Sequence, residues 1–281
     1  MGKKRFGVAV AVAFLALIHV SVSLPFVMLH GISAECSDET NSDFTRFLTD
    51  HSGSQGFCLE IGNGIIDSWF MPLTKQVDIA CEKVKQMDVL HEGYNIVARS
   101  QGNLVARGLI EFCDDGPKVY NYVSLAGPHA GLSSVPFCNV TGDIAEYLEG
   151  SKYLPKLNNE IPSQRNATYK DRFTSLQNLV LVMFQDDNVI VPKESSWFGF
   201  YRDGAAENEP VLSANQTQLY TEDWIGLKTL VDAGKVKFVS VPGGHDEMAD
   251  PDVMKYVVPY LQNNSSSVQK LNYKTKEPLP H

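Results

Sequence analysis

The 281-residue chain lacks the short motifs that mark metal and nucleotide chemistry. It contains no Cys-x-x-Cys pair, no His-Glu-x-x-His, no Gly-x-Gly-x-x-Gly and no phosphate-binding loop with a lysine. Basic residues are also few, since 24 Lys and Arg stand against 33 Asp and Glu, a formal net charge of −9. We therefore expect no metal and no other cofactor, and the missing basic excess argues against nucleic acid as a partner.

The N-terminal segment 1–23 differs from the rest of the chain. Residues 3–5 are basic, residues 7–22 form an almost uninterrupted apolar run, and Ser21-Val22-Ser23 places small residues where a signal peptidase reads. The run is short for a bilayer span, so a cleaved signal peptide is favoured over an anchor helix. After cleavage we expect no stable membrane span.

Sequons and cysteines both agree with a secreted chain. Acceptor asparagines for N-glycosylation are Asn139, Asn166, Asn215 and the adjacent pair Asn263 and Asn264. In an oxidising compartment, the five cysteines are better interpreted as disulfide-forming residues than as metal ligands. Because five is an odd number, at least one thiol is left over.

Apolar runs alternate with helical patterns along the chain, which at 43% hydrophobic and 20% charged residues has an ordinary globular composition. Strands are predicted over 24–29, 94–98, 119–125, 179–184 and 236–241, and helices over 77–89 and 101–113. Apolar strands separated by helices imply an α/β fold, in which a mostly parallel central sheet is flanked by helices. One domain over 24–262 is expected, with an insertion or cap at about 132–175 and a polar tail over 263–281.

Ser100 lies between a predicted strand and a predicted helix, with Ala98 and Gly102 two positions to either side. This arrangement is typical of the nucleophile elbow of α/β-hydrolases, in which the flanking positions leave little room for a side chain. Alanine takes the place of the usual first glycine and is the next smallest residue. An ordinary serine N-cap is the alternative, but the strand–turn–helix context favours a nucleophile.

A serine nucleophile needs a base within hydrogen-bond reach, and the chain order in α/β-hydrolases is Ser, acid, His. His245 follows the predicted strand 236–241 through a Pro-Gly-Gly turn. His129 precedes every plausible acid, and His281 is the last residue of the chain. His245 is therefore the predicted base.

The acid should accept a hydrogen bond from His245 and should follow the strand before the last one. Two adjacent candidates, Asp186 and Asp187, occupy that place, and spacing alone does not separate them. The oxyanion hole should use the backbone N–H of Gln101 and one from the first strand's loop, for which Ile32 is the better candidate.

Blocks along nearly the whole mature chain, about 24–261, resemble palmitoyl-protein thioesterases. They are His30-Gly31, Cys58 to Gly62, Gly93 to Asn95, Ser100 to Gly102, Ser195 to Tyr201, Leu219 to Asp223, Gly226 to Lys228 and Ala233-Gly234. Carried over position by position, the resemblance places the nucleophile on Ser100, the base on His245 and the acid on Asp187. It also implies Ile32 and Gln101 as oxyanion donors and a helix-bridging disulfide between Cys81 and Cys113.

The resemblance further implies hydrolysis of long-chain fatty-acyl (palmitoyl) thioesters on S-acylated proteins or peptides, through an acyl-enzyme. The lysosome, a vacuole or the extracellular space would be its location. An apolar groove for the acyl chain is expected from the 130s and from Trp197 to Tyr201. A lipase or carboxylesterase acting on oxygen esters, or an inactive acyl-binding homologue, remain alternatives.

The chain departs from the family pattern near several of these positions. Gly244 stands where the family has Asp before the histidine, and the insertion is shorter, so that Cys138 lacks the partner found nearby in relatives. Ser37 replaces the second of two adjacent cysteines. We therefore hypothesise a Cys36–Cys58 bridge.

Overall fold

The computed structural model describes residues 23–135, 138–139, 144–205 and 209–262. Its centre is a six-stranded sheet in the order β2-β1-β3-β4-β7-β8, and every neighbouring pair in it is parallel. The strands of this sheet are β1 (Phe26–Leu29), β2 (Gly56–Cys58), β3 (Tyr94–Arg99), β4 (Val119–Leu125), β7 (Asn178–Phe184) and β8 (Val236–Val241). The predicted α/β class with a parallel sheet is confirmed.

Four of these strands are continuous apolar runs because both faces of the sheet are covered. β1 is buried along its whole length, and β3, β4 and β7 are buried apart from isolated positions. Their predicted bounds agree with the structure to within two residues. β2 was not predicted, since three half-buried residues at the sheet edge give no periodic signal.

Helices cover both faces of the sheet. They are α1 (Glu39–Ser52), α2 (Ile65–Phe70), α3 (Leu73–Gln86), α4 (Gly102–Phe112), α5 (Ile144–Gly150), α6 (Leu154–Leu157), α7 (Ala167–Thr174), α8 (Gln218–Thr221), α9 (Leu227–Asp232) and α10 (Asp250–Tyr256). α3 begins and ends earlier than the predicted helix 77–89, because Met87 is extended and 88–90 form a separate 3₁₀ turn. No described helix is both long and apolar enough to cross a bilayer.

The predicted insertion region carries a short antiparallel pair, β5 (Ser134–Val135) with β6 (Cys138–Asn139), and then α5 to α7. A buried arginine of α4 holds it to the core. Arg107 donates to the carbonyl of Leu157 at 2.9 Å and to Asn158 Oδ1 at 2.7 Å, and it pairs with Glu111 on its own helix. Its guanidinium also lies 5.5 Å from the ring centroid of Phe173 in α7.

Both expected disulfides are present. Cys36 is bonded to Cys58 across 22 residues, and Cys81 to Cys113 across 32 residues. The second bridge joins α3 to the end of α4. The side chain of Cys138, the predicted signal peptide up to residue 22 and the polar tail from residue 263 lie outside the described part.

Candidate active site

Ser100 occupies the sharp turn between β3 and α4. Its φ of +48° lies in the left-handed region, which non-glycine residues adopt only when the surrounding structure holds them there. Its backbone N–H donates to the carbonyl of Leu125 at 2.9 Å, which fixes the turn to β4. The preceding Ala98 is fully buried between β1 and β4. The expected elbow geometry is therefore present at the carboxyl edge of the sheet.

The glycine after the elbow lets α4 approach β1 closely. A Cβ added at Gly102 would lie 2.5 Å from the carbonyl oxygen of His30 and 2.6 Å from that of Leu29. Both atoms belong to the backbone at the end of β1. Glycine is thus required at this position for space and not for its conformation.

The structure brings the predicted serine, histidine and aspartate together from three separate strand ends. His245 Nε2 lies 2.9 Å from Ser100 Oγ. On the other side of the ring, His245 Nδ1 lies 2.9 Å from Asp187 Oδ2 and 3.1 Å from Oδ1. With its proton on Nδ1, the imidazole donates to the carboxylate and accepts the serine hydroxyl at Nε2.

The Asp187 side chain is completely buried and well supplied with hydrogen-bond donors. Burial alone would raise its pKa, but the hydrogen bond from His245 and the backbone N–H groups of Ile190 and Val189 outweigh burial and hold the pKa below its usual value. Both N–H groups donate to Oδ1, at 2.9 and 3.0 Å. The carboxylate is therefore held in its charged form facing the imidazole.

Asp186, the candidate that spacing could not exclude, points elsewhere. It is exposed, and its backbone N–H donates to the carbonyl of Gly243 at 3.0 Å. Of the two carboxylates, only Asp187 is hydrogen-bonded to His245.

Of the other two histidines considered from the sequence, the structure describes one, and its contacts lie away from Ser100. His129 is fully buried, bonded to Ser124 at 2.8 Å and stacked on Phe198. Burial, together with the charge of Arg107, holds the pKa of His129 well below its ordinary value. His281 lies outside the described residues.

The loop after β1 lies directly against the nucleophile. A Cβ at Gly31 would be 3.0 Å from Ser100 Cβ and 3.6 Å from its Oγ. Ile32 follows and lines the cleft next to Ser100. The expected oxyanion donors, Ile32 and Gln101, are thus on the two segments that meet at the serine.

Glu60, whose role the sequence did not reveal, fastens this loop. Its carboxylate lies 3.0 Å from His30 Nε2 and accepts the backbone N–H groups of Cys36 at 2.7 Å and Ile61 at 3.0 Å. His30, Cys36 and Glu60 also bring potential metal ligands within 4.8 Å of one another. The sulfur of Cys36 is committed to its bond with Cys58 and cannot act as a thiolate ligand.

A cleft of about 1180 Å³ opens on Ser100 and His245. Its described lining includes residues of the loop after β1, of α1, of the loop over 242–249 that carries His245 (the histidine loop) and of α10. Apolar residues of the lining are Phe44, Phe47, Leu125, Met248 and Val253. Trp197 and Phe198, expected at an acyl groove, are not among the residues that line this cleft: Trp197 is partly buried against the core and Phe198 lies within it. The indole of Trp197 donates to the carbonyl of Leu181, and Phe198 is 1% exposed.

A parallel sheet with this connectivity, carrying a serine at a strand–helix elbow and a later histidine at the same edge, defines the chain as an α/β-hydrolase. Two overlapping stretches, 25–144 and 137–245, match the family model described as palmitoyl protein thioesterase. The chain belongs to this family and is a hydrolase.

Relatives match over most of their length. Palmitoyl-protein thioesterase 3 of Dictyostelium discoideum is 33% identical, over 89% of this chain and 96% of its own. Palmitoyl-protein thioesterase 1 of Caenorhabditis elegans is 33% identical, over 79% and 86%. The lysosomal thioesterase PPT2 homolog of Drosophila melanogaster is 29% identical, over 86% and 93%. Among solved structures, a monoacylglycerol lipase of Paleococcus ferrophilus gives a TM-score of 0.49 at 12% identity, over 85% of this chain and 96% of its own.

Proposed function

We propose that this enzyme hydrolyses long-chain fatty-acyl thioesters and removes palmitoyl groups from cysteines of S-acylated proteins or peptides. The observation that carries the proposal is the 2.9 Å contact between Ser100 Oγ and His245 Nε2, with Asp187 on the far side of the ring. The names of the relatives supply the substrate class.

The reaction begins when Ser100 Oγ attacks the acyl carbon and its proton passes to His245 Nε2. Asp187 stabilises the imidazolium that forms and keeps the ring in the required tautomer. The tetrahedral intermediate then collapses, the C–S bond breaks, and the cysteine sulfur leaves with the proton that His245 returns. A water molecule, deprotonated by His245, attacks the resulting acyl-serine ester and releases the fatty acid and free Ser100.

The leaving group favours a thioester as substrate for this machinery. A thiol has a pKa of about 8.5, so it departs more readily than an alcohol or amine. The proposed donors to the developing oxyanion are the backbone N–H groups of Ile32 and Gln101, which need no particular side chain. Gln101 is the N-cap of α4, whose dipole favours negative charge at this end.

The proposed location is the secretory pathway, ending in a lysosome, a vacuole or the extracellular space. Two disulfides support an oxidising compartment. Of the proposed glycosylation sites, Asn166 caps α7 through its Oδ1, which leaves Nδ2 as the point of attachment, and Asn215 is half-exposed. The side chain of Asn139 and both Asn263 and Asn264 lie outside the described part.

Labelling with a fluorophosphonate probe tests the nucleophile. The wild-type protein should be labelled at one site, and Ser100→Ala should not be labelled because the reacting oxygen is gone. A wild-type protein that is folded but unlabelled would refute the enzymatic proposal and favour an acyl-binding protein.

Turnover of matched palmitoyl substrates tests the substrate class. The enzyme should hydrolyse a palmitoyl thioester with a higher kcat/KM than the palmitoyl oxygen ester of the same leaving-group skeleton. A strong preference for the oxygen ester would refute the thioesterase assignment but would not affect the assignment of Ser100 as the nucleophile.

A further inference from the structure

A salt bridge joins the two residues next to the proposed nucleophile and base. Arg99 directly precedes Ser100, and Asp246 directly follows His245. Arg99 Nε lies 2.5 Å from Asp246 Oδ2, and their side chains are only 13% and 15% exposed. The pair therefore connects the elbow to the histidine loop by a route independent of Asp187.

Arg99 is itself held in place by α1. Its Nη1 donates to Asn41 Oδ1 at 3.0 Å, and its guanidinium lies 5.2 Å from the ring centroid of Phe44. Asn41 is buried and donates to the carbonyl of Glu35 at 2.8 Å. The Arg99 guanidinium that pairs with Asp246 is thus held in place by its contacts with α1, unlike a mobile surface side chain.

Glycine removes local backbone restriction from the histidine loop next to His245. The loop runs over 242–249 between β8 and α10 and contains adjacent glycines just before His245. Gly243 has a φ of +112°, and glycine has wide conformational freedom. Asp246 has a φ of +63°, which a non-glycine residue adopts where surrounding contacts hold it. Contacts from outside the loop therefore contribute to the position of the imidazole.

We propose that Arg99 and Asp246 are positioning residues, whose ion pair holds the histidine loop so that His245 Nε2 faces Ser100 Oγ. The inference rests on the proposed roles of Ser100 and His245. Asp187 fixes the ring from its Nδ1 side, and Asp246 fixes the backbone that carries the ring. Loss of either contact leaves the imidazole free to tilt away from the hydroxyl.

The charges around Asp246 give the pair a pH-dependent effect. The groups that face it are Arg99 from β3, His245 from its own loop and Asp187 from the loop after β7. Burial raises the pKa of Asp246 to about 6, and the negative charge of Asp187 also raises it. The charges of Arg99 and His245 act in the opposite direction and lower it. Above that pH the carboxylate is charged and pairs with Arg99, and below it protonation weakens the pair.

The test uses the rate constant of fluorophosphonate labelling between pH 4 and 8, because it requires an activated Ser100 but no thioester. Asp246→Asn keeps the shape and tolerates a positive φ. We expect its labelling to be about 10- to 100-fold slower, since a misplacement of about 1 Å can cost about 10²-fold. The loss of labelling that protonation of Asp246 causes near pH 6 in the wild type should also be absent from the profile of the variant. Asp232→Asn, which removes a carboxylate from the exposed Lys228 pair, is the matched control and should behave as the wild type.

A double-mutant cycle then separates positioning from general damage. Arg99→Met and Asp246→Asn should each slow labelling, and the double variant should be no slower than the worse single variant, because both remove one contact. Additive losses, an unchanged labelling rate in Asp246→Asn, or a slower variant whose pH dependence near pH 6 is the same as that of the wild type would overturn the proposal. A wild-type protein that labels normally but does not cleave thioesters would instead refute only the substrate assignment.

Discussion

Replacing Gly102 with alanine would place a methyl group where two backbone oxygens leave no room. The added Cβ would sit 2.5 Å from the oxygen of His30 and 2.6 Å from that of Leu29, whereas real Cβ contacts stay beyond 3.0 Å. The start of α4 must therefore move away from β1 by about 0.5 Å. Because β1 leads into Ile32 and Gln101 is the N-cap of α4, this movement would separate the two proposed oxyanion donors.

The expected size of the effect follows from the atoms that clash. Overpacking of a well-filled interior lowers the free energy of unfolding by about 1–3 kcal/mol. The clash at Gly102 is not relieved by a side-chain movement, because the neighbouring atoms belong to the backbone. Alanine in a helix gains up to about 1 kcal/mol over glycine, so the net loss of unfolding free energy should be about 0–2 kcal/mol when that gain is complete. For the reaction, a shift of half an ångström should lower kcat/KM by about tenfold or more, given about 10²-fold for a full ångström.

Urea unfolding followed by tryptophan fluorescence, together with kcat/KM on a palmitoyl thioester, would measure both effects. Gly150→Ala is the matched control, since it makes the same change at the end of α5 where nothing lies within 4 Å. Its unfolding free energy should equal that of the wild type or exceed it by up to about 1 kcal/mol, the gain of alanine over glycine in a helix. If Gly102→Ala matched the wild type in both measurements, the close approach of α4 to β1 would not be required for the site.

Two further substitutions test the acid and the buried cation. Asp187→Asn should lower kcat by about 10³- to 10⁴-fold, because the amide no longer fixes the imidazole tautomer. The control Asp186→Asn changes an exposed carboxylate and should keep a kcat near that of the wild type. Equal losses of kcat in a steady-state thioester assay would contradict the assignment of Asp187 as the acid. Arg107→Met should lower the unfolding free energy by about 3–5 kcal/mol, because Glu111 is left as an unpaired buried carboxylate. The exposed Arg46→Met should lower it by less than about 1 kcal/mol, and similar urea midpoints for both variants would show that the buried network is not needed.

The parts of the fold that the sequence predicts well are those in which one physical signal dominates. β4 and β8 were placed with their observed bounds, since their residue patterns stop at clear turn signals. α1 gave no such signal, because Leu48 is its only large apolar residue that is fully buried. Phe44 and Phe47 are only partly buried, and the other residues of the helix are polar. Its existence depends on tertiary contacts with β2 and with the segment at 258–260.

At the site, the positions of residues at strand ends could be predicted from the sequence, but the hydrogen-bond and ion-pair partners of their side chains could not. Ser100 and His245 follow apolar strands, so their place at the carboxyl edge of the sheet could be inferred from the sequence alone. The choice between Asp186 and Asp187 depends on which carboxylate meets the N–H groups of Val189 and Ile190, which spacing does not encode. The Arg99–Asp246 pair joins residues 147 positions apart, and no local pattern reports such a contact.

The buried guanidinium of Arg107 also bears on how this enzyme could be re-engineered. It lies about two helical turns beyond Ser100 and takes two of its acceptors from Leu157 and Asn158, inside the predicted insertion. A different segment grafted in its place would need to present a carbonyl and an amide oxygen at those same points. A graft without them would leave the buried guanidinium with Glu111 alone as acceptor in α4, so changes meant to alter the proposed chain-length preference would first be observed as lost stability.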